Sequence, residues 1–399
     1  MSVMTTNTID TIHTHAYKLT VTYKEMNVDQ NTDMNKTFSA KVNILDTNAL
    51  TVNNPYKSDA GTLKKAIIDN AMLGTGSTQL GSEVTEFTKI SGPNDKLLNT
   101  APDDYGTSYY YYGAVTDNYV TFADKLWRIV RINGDGTIRL VLDDVAKDTS
   151  GNVIETEFNT SNNDNAYVGY MYGTPESTTY DETHKNINDS TIKTQVDAWY
   201  KTNIVDTNSS SFIADTLFCN DKTLASNGIG GVTTQLGYGT NETYYASMER
   251  LRYSTGTTEI TTSKPTFKCA ENATNDYSRF TVNVSTLPNG NKTNGNLTYP
   301  VGLLTADEVS FAGAYKYNQI NKSYYLSNSS LTSFWWLSSP SDSIGPFTDE
   351  WYVTGYGDLN YNNGVDGTLA FRPSINLKAE TLKSAGDGTK SNPYTVKLS

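Results

Sequence analysis

Three strand-like runs close to the C-terminal end constrain this chain most: Phe334–Pro340, Trp351–Val353 and Leu369–Leu377. Short runs of aromatic and β-branched residues suit a pleated, half-buried surface. Between the second and third lie residues 354–368, with four glycines, almost no aliphatic residue, and a mixture of Tyr, Asn and Asp. Asn, Asp and Gly tolerate tight and left-handed turns. Tyr adds large, stiff, amphipathic contact area at low entropic cost. Rigid strands carrying a polar, aromatic loop make a binding architecture before they make a catalytic one. Arg372, set between strand apolar residues and a proline, is expected to be partly buried and to donate to loop carbonyls, with Phe371 facing the core.

At 399 residues the chain exceeds one typical domain, so a large domain plus a smaller one is expected. Tyrosine dominates the aromatic residues, 28 against 12 Phe and 5 Trp, so much of the surface can be both apolar and hydrogen-bonding. The net charge of −12, with no Lys/Arg cluster, argues against nucleic-acid and anionic-membrane partners. No run of 18 apolar residues is present to span a membrane. The opening Met1-Ser2-Val3-Met4 does not read as the charged start of a signal peptide. Abundant Thr, Asn, Ser and Tyr with two cysteines point to an extracellular protein.

Taken in order, the chain first shows alternation over Tyr17–Tyr23 and again over Phe38–Ile44, two strands of a small β-element. Leu63, Ala66, Ile67 and Ala71 mark a short amphipathic helix with Gly74 as its stop. Residues 75–108 are polar and punctuated by Gly, Asp and Pro, and read as a linker or wrapped loop. The main domain begins at Tyr109–Tyr112 and continues through Tyr119–Phe122, Leu126–Ile132 and Thr137–Leu142. Asn133-Gly134-Asp135-Gly136 is its hairpin signal. Ser190 caps a helix with apolar residues at 192, 196, 199 and 200. Thr305 and Glu308 form a capping box for a second helix. Residues 221–300 are a long Gly/Thr/Asn-rich insertion, and Tyr394–Val396 reads as a last strand.

The order Trp335-Trp336-Leu337-Ser338-Ser339-Pro340, Trp351-Tyr352-Val353, Gly357-Asp358-Leu359-Asn360 and Phe371-Arg372-Pro373-Ser374-Ile375-Asn376-Leu377 resembles the C-terminal end of a C-type-lectin-like fold. The branch it resembles is the bacterial and phage one of formylglycine-generating-enzyme-like domains and diversity-generating-retroelement variable proteins. The resemblance implies an α+β chain: a small β-rich N-terminal element over 1–104 that displays or anchors, and a C-type-lectin-like ligand-binding domain with long irregular insertions over 105–399. It implies ligand contacts at Ser341, Asp342, Phe347, Asp349, Tyr356, Asp358, Asn360, Tyr361, Asn362, Asn363 and Asp366. Plain turn chemistry is the alternative for these loop residues. Trp335, Trp336, Trp351, Phe371, Arg372 and Pro373 match the framework.

The enzymes of that branch leave little to carry over. The cysteine pair of formylglycine-generating enzymes lies near the C-terminal strands, whereas no cysteine here follows Cys269. The iron-dependent sulfoxide synthases need three histidines, and His13, His15 and His184 fall in unrelated segments. The calcium-binding Glu-Pro-Asn and Trp-Asn-Asp motifs of lectins are missing from the C-terminal region, and no metal site or cofactor is expected. Cys219 and Cys269 are either joined or two buried thiols; joined, they would close a loop of about 50 residues and add roughly 4 kcal/mol in the chain-entropy account. The expected function is therefore non-enzymatic: a receptor- or adhesin-type module presenting its C-terminal surface to a protein or glycan, at a cell surface or on a virion. The rival is a pilin-like or surface-layer subunit that self-associates through its N-terminal strands.

Overall fold

The computed structural model describes residues 54–269, 277–316, 319–327 and 333–398. The expected strands at 17–23 and 38–44 lie outside them. From residue 54 onward the described chain belongs to one compact unit. Helix α1 (Leu63–Leu73) begins on the Thr62 hydroxyl, which accepts from Lys65 N, and ends on Gly74 in the left-handed region. Strands β1 (Gln79–Glu83), β2 (Lys96–Pro102), β3 (Thr107–Gly113), β4 (Tyr119–Phe122), β5 (Lys125–Ile132), β6 (Ile138–Leu142) and β7 (Glu155–Glu157) follow. Next come α2 (Thr191–Tyr200), the short strand β8 (Thr243–Tyr244), α3 (Ala246–Leu251) and α4 (Ala306–Ala312). The chain closes with β9 (Trp335–Ile344), β10 (Phe347–Val353), β11 (Leu359–Gly364), β12 (Thr368–Ala370), β13 (Ser374–Leu377), β14 (Leu382–Ala385) and β15 (Tyr394–Lys397).

Two sheets organise this mixed α/β chain. The larger has nine strands, β1-β2-β3-β5-β4-β15-β14 with β6 on β5 and β13 on β6. The last strand of the chain thus closes beside β4, which was formed some 270 residues earlier. The second sheet runs β11-β10-β9-β12-β7, with β8 pairing β9. Apolar residues of both sheets enter one core, in which Trp127, Trp335, Trp336 and Trp351 are fully buried. Helix α2 turns Ile192, Val196, Trp199 and Tyr200 into it, and Trp199 meets Trp127 edge-on at 6.0 Å.

Three expectations change. Residues 75–108 are not a linker: they contain β1 and β2, and β2 pairs with the Tyr-rich β3 along its whole length. Leu98 and Ala101 are buried by that pairing, although the segment itself shows little alternation. A boundary after residue 104 therefore falls inside the β2–β3 hairpin. Leu369–Leu377 is not one strand, because Phe371–Pro373 break it; β12 joins the second sheet and β13 the first. Residues 354–368 are not a free loop, because Leu359–Gly364 hydrogen-bond to β10 as an edge strand.

The break between β12 and β13 is held by Arg372, which is buried more completely than the partial burial expected. Its Nε and Nη1 donate to the carbonyls of Leu142 and Leu326, each at 2.9 Å, and Nη2 donates to Asp143 O at 3.3 Å. The guanidinium lies 4.9 Å from the Trp335 ring centre, and Phe371 is fully buried. One side chain thereby ties the two sheets and the 324–327 turn together. Cys219 and Cys269 form a disulfide, with Cα atoms 5.6 Å apart. Among the described residues no helix is long and apolar enough to cross a membrane.

Candidate functional site

The β9–β10–β11 meander forms the candidate site, and its two ends differ. At one end β9 turns into β10 through Gly345, whose φ of +62° suits a residue without Cβ. At the other end residues 354–358 close the β10–β11 turn. There Gly357 has a φ of +83°, and a Cβ on it would lie 2.0 Å from Asn321 O. Seven residues of β10 separate these ends, roughly 20 Å at strand rise.

The expected contact residues divide accordingly. Phe347 is 56% exposed at the first end, and Tyr356 is 57% exposed at the second. Asn362 and Asp366 are also exposed, while Asp349, Tyr361 and Asn363 are half-buried. Four candidates must be corrected, because they are buried rather than presented. Ser341 donates to Tyr361 O at 3.0 Å. Asp358 accepts from the Thr354 hydroxyl and locks its turn. Asn360 accepts from Tyr361 N at 2.8 Å. Asp342 is 5% exposed and faces Asp349 across the β9–β10 pair. All six framework residues are buried.

The first end gathers the chemistry. Strand pairing places Tyr244, Asp342 and Asp349 in one row across β8, β9 and β10. Facing residues on adjacent antiparallel strands share a face of the sheet. Asp366 stands beyond Asp349 and accepts from Asn162 Nδ2 at 2.8 Å. Tyr361 packs on Trp351, with ring centres 5.6 Å apart, and its hydroxyl lies 3.4 Å from that of Tyr253. Arg252 stacks over both Tyr253 and Tyr361, at 5.4 Å and 5.2 Å. Trp351 Nε1 donates to Ser247 Oγ of α3 at 2.8 Å, which fixes the floor beneath them.

The two facing aspartates are electrostatically unfinished. Burial, and then the negative charge of Asp366, pushes the Asp349 carboxyl up to about 7. Burial and the neighbouring Asp349 raise Asp342 well above the usual carboxylate range. Oδ2 of Asp342 is buried without a hydrogen-bond partner. Two close carboxyls without a cation hold a proton that solvated ones would lose. An arriving cation or strong donor would release that proton and be held by both. Among the described residues no group of three or more His, Cys, Asp or Glu is arranged to hold a metal ion.

Tyr244, Tyr253, Arg252 and Asn162 were not among the sequence candidates. They reach the site from the insertion and from the 158–165 segment, and only the two-residue pairing of β8 with β9 reveals the first of them. Their local sequence carries no periodicity that would single them out. Neither protein-family models, nor curated proteins, nor solved structures give a match to this chain.

Proposed function

We propose that this protein is a non-enzymatic binding module with a C-type-lectin-like core, and that its recognition centre is the Phe347 end of the β9–β10–β11 meander. The observation that carries the reading is the Tyr244–Asp342–Asp349 row. It sets two carboxyls, with no cationic side chain paired to them among the described residues, beside Asp366 and Tyr361 and next to the exposed Phe347. A rigid aromatic anchor beside unsatisfied acceptors is the composition of an interaction hot spot. Such a centre suits a protein or glycan ligand that offers donors or a basic group. The disulfide fits an extracellular setting, at a cell surface or on a virion. Burial of every framework residue, with Phe347 and Asp366 left at the surface, agrees with the lectin-like pattern of fixed strands and a free ribbon.

The test is binding of the purified protein to arrays of glycans and surface proteins. Phe347→Ala and Asp366→Asn should abolish most of the signal while leaving melting nearly unchanged. Tyr356→Ala, at the far end, should keep binding. Equal binding by all three variants and the wild type would remove this end of the meander as the recognition centre.

A further inference from the structure

Lys222 is a nucleophile for which the binding surface has no use. It follows the disulfide by three residues and has no exposed surface. Its Nζ lies 2.6 Å from Met171 O, 3.2 Å from His184 O and 2.9 Å from Oδ1 of Asn186. The Phe280 ring is 5.5 Å away, and the Tyr180 hydroxyl donates to the Lys222 carbonyl at 2.7 Å. Among the described residues the three close partners of the ammonium are two backbone carbonyls and one carboxamide, none a carboxylate.

Burial brings the pKa of Lys222 down to about 7, opposed chiefly by the charge of Glu350. Glu350 is itself fully buried, no side chain donates to either of its carboxyl oxygens, and burial lifts it well above the usual carboxylate range. Burial of both groups favours the neutral pair, an amine and a carboxylic acid, over the charged one. What remains is a neutral amine with two hydrogens and one lone pair. In the structure Nζ donates to all three, the Met171 and His184 carbonyls and Oδ1 of Asn186, so loss of the third hydrogen is what turns a lone pair toward the Asn186 carboxamide. Asn186 is held from its other side, where Nδ2 donates to Tyr277 O at 3.3 Å. A desolvated amine held at hydrogen-bond distance from the oxygen of a carboxamide is placed beside the carbon it would attack, and burial and positioning are what make lysine a nucleophile in proteins.

We propose that Lys222 and Asn186 are joined by an intramolecular amide bond, formed autocatalytically in the folded protein. Nζ attacks Cγ of Asn186, the Nζ–Cγ bond forms, and the bond from Cγ to the original amide nitrogen breaks. One amine proton goes to the departing nitrogen, which leaves as ammonia. The reaction consumes a carboxamide and an amine and yields a substituted amide and ammonia, with no oxidant, reductant or cofactor. Asn186 is half-buried, which gives the ammonia a short way out. The bond would tie the segment just before α2 to the start of the insertion, beside the disulfide.

The mass of the intact wild-type chain tests this, measured after denaturation, reduction and alkylation so that folding differences do not matter. The expected mass is one ammonia below that calculated for the doubly alkylated sequence. Trypsin should leave the bond after Lys222 uncut and release one branched peptide containing both Asn186 and Lys222. Lys222→Met and Asn186→Ala should each restore the full mass, whether or not the variant folds. A wild-type chain at full mass overturns the proposal. So does loss of ammonia with only linear peptides, which would be a succinimide at an asparagine.

Discussion

Buried carboxylates occur in two regions of this protein on opposite terms. Next to the large sheet, Arg131 donates to Asp103 at 3.0 Å and to Glu308 at 3.3 Å, and Arg139 approaches the same Glu308 oxygen at 3.5 Å. Close by, Arg250 grips Asp307 with two nitrogens, at 2.8 Å and 2.9 Å, and reaches Asp221 at 3.0 Å. In the second sheet, Asp342, Asp349 and Glu350 are buried or half-buried without such a guanidinium. The first region spends its acids on joining strands to helices. In the second, burial raises all three above the usual carboxylate range and favours their protonated form. Burial alone therefore does not tell these two sets of acids apart; the presence of a facing arginine does.

The largest effect should come from the paired region. Arg131→Ala leaves Asp103 and Glu308 facing each other without their shared cation, and breaking such a buried network costs about 3–5 kcal/mol. A urea midpoint close to that of the wild type would show that these charges are screened and erase the contrast. Arg372→Ala comes next, at about 2–3 kcal/mol, because it strands three buried carbonyls; the same unfolding curve reads it.

Asp349→Asn sharpens the comparison through pH. An unfolded aspartate titrates near about 4, and Asp349 in the fold is raised to about 7. Between those values the folded protein holds a proton that the unfolded chain has lost. Stability should therefore fall as pH rises through that window and level off above it. Asp342, shifted in the same direction, contributes to the same slope. Asp349→Asn should flatten the slope of unfolding free energy against pH between 4 and 7, and an unchanged slope would mean that the pair is solvated. Tyr356→Ala is the smallest change. Its side chain is exposed, so the melting temperature should record a difference within about 0.5 kcal/mol.

What was legible in the sequence was local. Ser190 and the Thr305/Glu308 pair act within one helical turn, and both cap their helices as expected. The 133–136 turn and the last strand are likewise set by neighbouring residues. Arg372 was legible because its neighbours, an apolar strand and a proline, leave a guanidinium little choice but carbonyl acceptors. The rest depends on partners far along the chain. Strand β2 owes its burial to the tyrosines of β3, and β11 exists because β10 offers it a ladder. Arg131 finds Glu308 at a separation of 177 residues, and nothing near either residue announces the other. The acidic and aromatic end of the site was half legible for the same reason. Asp349, Asp366 and Tyr361 lie on the meander itself, whereas Tyr244 and Tyr253 come from the insertion.

Glu308 belongs to two structures at once. Its Oε2 accepts from Thr305 N at 3.0 Å to finish the cap of α4, while its Oε1 serves Arg131 and Arg139 on β5 and β6. Fraying of the first turn of α4 cannot then be a local event, because it would take Glu308 from Arg139 and leave Arg131 with Asp103 alone. The amide hydrogens at the start of this seven-residue helix should exchange with solvent only as fast as those of β5, through openings that take the sheet with them. A helix too short to persist by itself would thus carry the slow exchange of the most stable part of the molecule.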